Sequence, residues 1–201
     1  LAALGDREGA EEMFRLAISS GEVGASNDLA ILLRDGERLG EALQVLGRAA
    51  EAGDPQAGPN LVALHLEAGD ALGAIEAAEA FADESRPDTL VALAEVRAIQ
   101  ERHDEAVAHF RRAAELGALR VHTAYGQYLL ATHGDIAGAE LEFREAQRHA
   151  EPGWASTLGN FLLDVGRPDE ARWYLQQAAD SGDAEAMTTL IELDGGDPSD
   201  D

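Results

Sequence analysis

The feature that most constrains this chain is a repeat. Ala10, Ala42, Ala74, Ala106, Ala139 and Ala171 recur at intervals of 32, 32, 32, 33 and 32 residues. Sequence periods of about 20–50 residues belong to stacked arrays of one supersecondary unit, and five near-identical intervals are not chance. Four residues after these alanines come versions of one phrase: Phe14-Arg-Leu-Ala-Ile-Ser-Ser-Gly21, Leu46-Gly-Arg-Ala-Ala-Glu-Ala-Gly53, Phe110-Arg-Arg-Ala-Ala-Glu-Leu-Gly117 and Leu175-Gln-Gln-Ala-Ala-Asp-Ser-Gly182. Phe143-Arg-Glu-Ala-Gln-Arg-His-Ala150 is a fifth copy without the glycine, and a weaker one runs from Ala78 through Phe81. Ala17, Ala49, Phe81, Ala113, Ala146 and Ala178 stand seven residues after the first set. Positions four and seven apart share a helical face. Each unit therefore holds a helix with a small–large–small stripe, suited to a close crossing with another helix.

A second phrase precedes each of these helices: Leu29-Ala-Ile-Leu-Leu33, Tyr125-Gly-Gln-Tyr-Leu-Leu130 and Leu158-Gly-Asn-Phe-Leu-Leu163, with looser copies at Leu61-Val-Ala-Leu64 and Leu93-Ala94. Leu158, Phe161, Leu162 and Val165 follow the spacing of one apolar helix face. Gly36, Gly69, Gly134 and Gly166 separate the first helix of a unit from the second, and Gly21, Gly53, Gly117 and Gly182 close the second. Asp54, Asp70, Asp135 and Asp183 read as helix caps, with Pro55 expected in the first turn of its helix. The third unit departs from this punctuation, ending in Ser85-Arg86-Pro87, and no glycine separates Arg97 from Ala106.

Composition agrees with helix packed on helix. Apolar residues are 45% of the chain and aromatics only 5%, so the core is largely Ala and Leu, strong helix formers. With no cysteine there is no disulfide, thiolate nucleophile or Cys-ligated zinc, which suits a cytoplasmic setting. The net charge is −24 and all 15 cations are arginine. Such a chain repels nucleic-acid phosphates and anionic membrane surfaces. No apolar run is long enough to span a bilayer.

These phrases resemble the tetratricopeptide repeat family, particularly its shorter SEL-like form. Leu158-Gly159 with Ala171, Leu175 and Ala178, and Tyr125-Gly126 with Ala139, Phe143 and Ala146, match its pattern of Leu-Gly on one helix and Ala, Phe and Ala on the next. The likeness runs over residues 5–193; the period is shorter than the family's usual one, and Trp154 sits one residue early for the family tryptophan. The resemblance implies an all-α fold, a right-handed α-solenoid of about six antiparallel two-helix repeats. One repeat domain is expected over 1–193, with second helices near 6–20, 37–52, 70–83, 103–116, 135–149 and 168–181, followed by an acidic, disordered tail at 194–201.

It further implies a scaffold that binds a peptide or partner segment in a concave groove lined by the first helices. By register the groove residues are Asn27, Ile31, Arg34, Asp35, Ala63, Leu66, Glu67, Val91, Glu95, Thr123, Gln127, Ser156, Asn160 and Asp164. Four carboxylates against one arginine favour a basic or neutral protein or peptide over an acidic tail. The alternative is a structural, oligomerising or sensor module of a larger protein. The chain starts at or near a second helix, so Met13 and Phe14 are expected to be under-covered and open to self-association.

No catalytic motif, phosphate loop or cofactor fingerprint is present, and the chain reads as a non-enzyme without cofactor. The six histidines lack metal-ligand spacing and read as scattered surface groups; the sharper alternative gathers His103, His109, His122 and His133 with Asp104 or Asp135. Trp154 and Trp173 are expected to pack between hairpins, with an aromatic pocket as the alternative.

Overall fold

The computed structural model describes residues 7–22, 24–81 and 83–195, and among them every regular element is helical. The chain gathers into two compact units, Leu1–Ala118 and Leu119–Asp201. Unit 1 holds α1 (Arg7–Ser19), α2 (Ala25–Arg34), α3 (Leu39–Glu51), α4 (Ala57–Glu67), α5 (Ala71–Phe81), α6 (Pro87–Ile99) and α7 (His103–Glu115). Unit 2 holds α8 (Val121–Tyr128), a π-helical turn at Leu129–His133, α9 (Ile136–Arg148), α10 (Trp154–Asp164), α11 (Pro168–Asp180) and α12 (Ala184–Gly195). In unit 1, α2/α3, α4/α5 and α6/α7 are hairpins, and the first helices α2, α4 and α6 pack side by side. In unit 2 the hairpins are α8/α9 and α10/α11, with α12 packed on α11. Of the tail expected at 194–201, residues 196–201 lie outside the described residues.

The small–large–small stripe is the core. Ala42, Ala74, Ala106, Ala139 and Ala171 are 0% exposed and Ala10 4%. Between them Leu46, Phe110, Phe143 and Leu175 are buried. The Leu-Gly phrase has a steric cause. A Cβ on Gly126 would fall 2.5 Å from Phe143 Cε1, and one on Gly159 would fall 2.8 Å from Leu175 Cγ. Glycine on the first helix lets the large residue of the second press against its backbone, which maximises dispersion contact in a thin core.

The caps follow sequence logic, with two corrections. Asp70 and Asp135 accept the Gly73 and Gly138 amides at 2.9 Å, while Asp54 accepts from Gln56 at 2.9 Å and Asp183 from Glu185 at 3.0 Å. Pro55, however, lies ahead of α4 in a turn rather than in its first helical turn. Gly36 is not the left-handed residue of its loop either; Glu37 is, at φ 59°, and Glu101 at φ 58° fills the same slot where glycine is missing. The slot is set by the hairpin geometry, and a side chain is tolerated there at some strain. The single 33-residue interval, Ala106 to Ala139, contains the π turn. A π turn takes up one inserted residue without breaking the helix, so the length change is absorbed locally.

Candidate interaction surface

In unit 1 the face offered by α2, α4 and α6 is mixed. Ile31 is 50% exposed, Ala63 and Glu67 are exposed, and Leu66, Val91 and Glu95 are half-buried. Arg34 is tied down: its Nη2 donates to Asp35 Oδ1 at 2.9 Å and its Nη1 lies 3.8 Å from Glu67. The one cation expected in the groove is therefore neutralised by two of the expected carboxylates. In unit 2, Gln127 and Asp164 are exposed and Asn160 and Ser156 half-buried.

Two of the groove residues read from sequence point elsewhere. Asn27 is 8% exposed and Thr123 1% exposed. Asn27 Nδ2 donates to Asp54 at 3.2 Å, and its Oδ1 accepts from Asn60 at 2.7 Å. Thr123 donates its hydroxyl to Glu151 at 2.8 Å. The buried Glu151 also takes the His122 and Thr123 backbone amides at 2.9 and 3.0 Å, so one carboxylate satisfies the start of α8. Ser156 does not repeat the motif, because its hydroxyl donates to the Gly153 carbonyl at 3.2 Å. The Asp183 carboxyl lies below the usual carboxylate range chiefly because the Ala186 amide bonds it at 3.1 Å, helped by the Glu185 amide. Asn27–Asp54 and Thr123–Glu151 are one latch, joining the third residue of a first helix to the acid that follows the next second helix. That role removes these side chains from the set of groove contacts.

A second set of residues went unnoticed in the sequence. Arg38 bridges Glu11 of α1 at 2.5 Å and Glu41 of α3 at 2.7 Å, while Arg15 bonds Glu11 at 2.7 Å and lies 3.7 Å from Glu41. Unit 2 repeats this clamp four repeats later: Arg167 with Glu140 at 2.8 Å and Glu170 at 2.7 Å, Arg144 with Glu140 at 2.6 Å and Glu170 at 3.9 Å. Arg38 and Arg15 hold the Glu11 carboxyl below its usual range. Burial pushes Glu140 up, but Arg144 and Arg167 outweigh it and its net shift is downward. The visible signal was Arg-x-x-Glu-Ala ahead of α3, α7 and α11, against Asp-x-x-Gly-Ala ahead of α5 and α9.

The histidines of unit 2 are engaged separately. His122 Nδ1 lies 2.8 Å from Glu142, whose hydrogen bond raises the His122 pKa, and its ring stacks on His149 at 4.9 Å. His133 lies 3.3 Å from the Tyr128 hydroxyl. No group of three or more His, Asp or Glu able to hold a metal occurs among the described residues. Tyr174 meets Trp154 and Trp173 edge-on at 6.0 and 4.7 Å. Trp154 is half-buried against Tyr174 of its own hairpin, whereas Trp173 is 57% exposed, against the expected packing between hairpins.

TTC0263, a thermophilic TPR protein of Thermus thermophilus, matches with TM-score 0.67 and 22% identity, over 82% of this chain and 95% of that one. The fold is of the tetratricopeptide type. A tetratricopeptide repeat protein of Parabacteroides merdae is similar over 89% of this chain and 75% of that one, at TM-score 0.55 and 15% identity. At such identities the likeness of these tetratricopeptide-type hairpins is one of fold. No family profile matches the chain, and no curated protein does. No described helix is long and apolar enough to cross a membrane.

Proposed function

We propose that the chain is a protein-interaction scaffold that holds a basic or neutral partner segment against the exposed face of α2, α4 and α6. The observation that carries this reading is the fate of Arg34. Its pairing with Asp35 and Glu67 leaves a face with exposed Ile31, half-buried Val91 and no unneutralised cation from the predicted set. An apolar strip bordered by carboxylates takes apolar anchors from a partner and draws basic flanks by charge, which acts chiefly on association rate and selectivity. Catalysis is no part of this reading.

Titration with basic, neutral and acidic peptide libraries at low and high salt tests it. Basic peptides should bind faster at low salt, and Ile31→Asp should abolish the signal without moving the melting curve, since Ile31 is half exposed. A preference for acidic peptides would overturn the reading.

A second reading is an oligomerising or structural module. On α1, Met13 is 57% and Leu16 55% exposed while Phe14 is half-buried. Light scattering over a dilution series separates the two readings: mass that rises with concentration and falls back in Met13→Glu/Leu16→Glu supports self-association, and a constant monomer mass rejects it.

A further inference from the structure

The second-helix side of unit 1 carries a cleft of about 420 Å³ between α3 and α5, closed below by α4. It is separate from the face just discussed. Its floor is apolar, with Leu61 and Ala77 each 6% exposed, and Phe81 and the exposed Leu72 form one wall. The charged groups lining it are Glu51, Asp70 and Glu76, with His65. Asp70 is already committed: Oδ1 takes the Gly73 amide and Oδ2 the His65 ring, both at 2.9 Å. Glu51 and Glu76 have no ion-pair or hydrogen-bond partner among the described residues.

The neighbouring interface shows what is missing. Between α1 and α3, one repeat earlier, Glu11, Arg15, Arg38 and Glu41 lock together. One repeat on, the same four positions are Leu43, Gly47, Asp70 and Gly73. Both guanidinium groups are gone, the two glutamates are replaced by Leu43 and Gly73, and nothing lies within 4 Å of a Cβ built on Gly47. What remains is a cleft with apolar walls, room where an arginine stands next door, and two unpaired carboxylates.

We propose that this cleft receives an arginine side chain presented by a partner protein. The aliphatic stem lies over the apolar floor beside Phe81, and the guanidinium meets Glu51 and Glu76, one helical turn on from Gly47 and Gly73, where Arg15 and Glu41 stand in the preceding seam. Arginine is favoured over lysine because its planar fork matches carboxylate oxygens and stacks on an aromatic face, and because it is more weakly hydrated.

The test is an NMR titration of the full chain with acetyl-arginine amide, acetyl-lysine amide, acetyl-citrulline amide as uncharged isostere, and free arginine. Acetyl-arginine amide should shift the Gly47, Glu51, Gly73, Glu76 and Phe81 amides. Lysine amide and free arginine should bind more weakly, and citrulline amide should leave those signals in place. Glu51→Gln/Glu76→Gln should weaken arginine amide about tenfold or more. Gly47→Arg, which supplies the guanidinium from within, should remove the response while leaving the chain folded with a slightly raised melting temperature. Equal shifts from citrulline amide, shifts spread evenly over the acidic surface, tighter binding of free arginine, or an undiminished response in the double variant would each overturn the proposal.

Discussion

The α1–α3 and α3–α5 seams of unit 1 share a helix and differ in their polar rim. Ala10, Ala42 and Ala74, one from each of the three helices, are all buried. Yet the first seam is closed by two arginines and two glutamates, and the second has glycine at two of those positions. The first alanine of each stripe is kept in all six units, whereas the large and small positions after it change places in α5. The rim contributes little to stability and is free to change from repeat to repeat, so it is where one hairpin acquires chemistry that its neighbour lacks.

The largest expected effect is common to both interfaces. Ala42→Leu and Ala74→Leu each insert three methylene-sized groups at positions with 0% exposure, and each should cost about 1–3 kcal/mol through overpacking. Thermal unfolding followed by circular dichroism checks this. Similar losses would show that the alanine layer is blind to the rim, and a much smaller loss at Ala74 would show that the open cleft relaxes the packing beneath it.

Next comes Gly73→Ala, which acts on the open interface alone. The new Cβ would collide with His65 Nδ1 and Asp70 Oδ2, so the pair that closes the α4–α5 turn must move. Helix propensity would gain up to about 1 kcal/mol, and the steric penalty of about 1–3 kcal/mol exceeds it. A net loss in melting temperature is expected, and a gain would mean that His65 swings aside freely.

The clamped interface should answer to acid. Glu11 titrates lower in the folded chain than its ordinary value of 4.5 because Arg38 and Arg15 hold its charged form. A depressed folded pKa gives stability that is present above the unfolded pKa and lost as pH falls through the folded one. The melting-temperature difference between the native chain and Glu11→Gln should thus be constant above about pH 5 and shrink below pH 4.5. It should also shrink in salt, since the clamp is largely exposed. A difference that grows on acidification would remove the clamp from the account of this interface.

How much of this was legible beforehand depends on how local the signal was. The alanine stripe was readable because every crossing needs a small residue, so the same demand is written six times. Thr123 was not, because its register on α8 fits a groove position and the partner that turns it inward, Glu151, stands 28 residues away. The clamp was harder still. Its four positions are divided between two helices and a loop, and the full set returns only after four repeats, at Glu140, Arg144, Arg167 and Glu170. Comparing adjacent units finds Leu43, Gly47, Asp70 and Gly73 at those positions and hides the pattern. The left-handed Glu37 was missed for the opposite reason, since Gly36 beside it satisfied the expected punctuation.

The smallest effect decides most about the comparison. Gly47 lies inside α3 with helical backbone and open space around it, so neither a left-handed conformation nor a close contact requires glycine there. Glycine within a helix costs about 0.5–1 kcal/mol relative to alanine, through the extra freedom it loses on folding. Gly47→Ala should therefore raise the melting temperature slightly, and the same substitution should leave the pH response of Glu11 untouched. Gly73 and Gly47 then fall into two kinds: one is demanded by the His65–Asp70 pair, and the other is a stability cost with no structural return. The space that Gly47 leaves open is the space the proposed arginine would need. If Gly47→Ala destabilises the chain instead, the glycine serves the fold, and the contrast between a closed and an open interface loses its meaning.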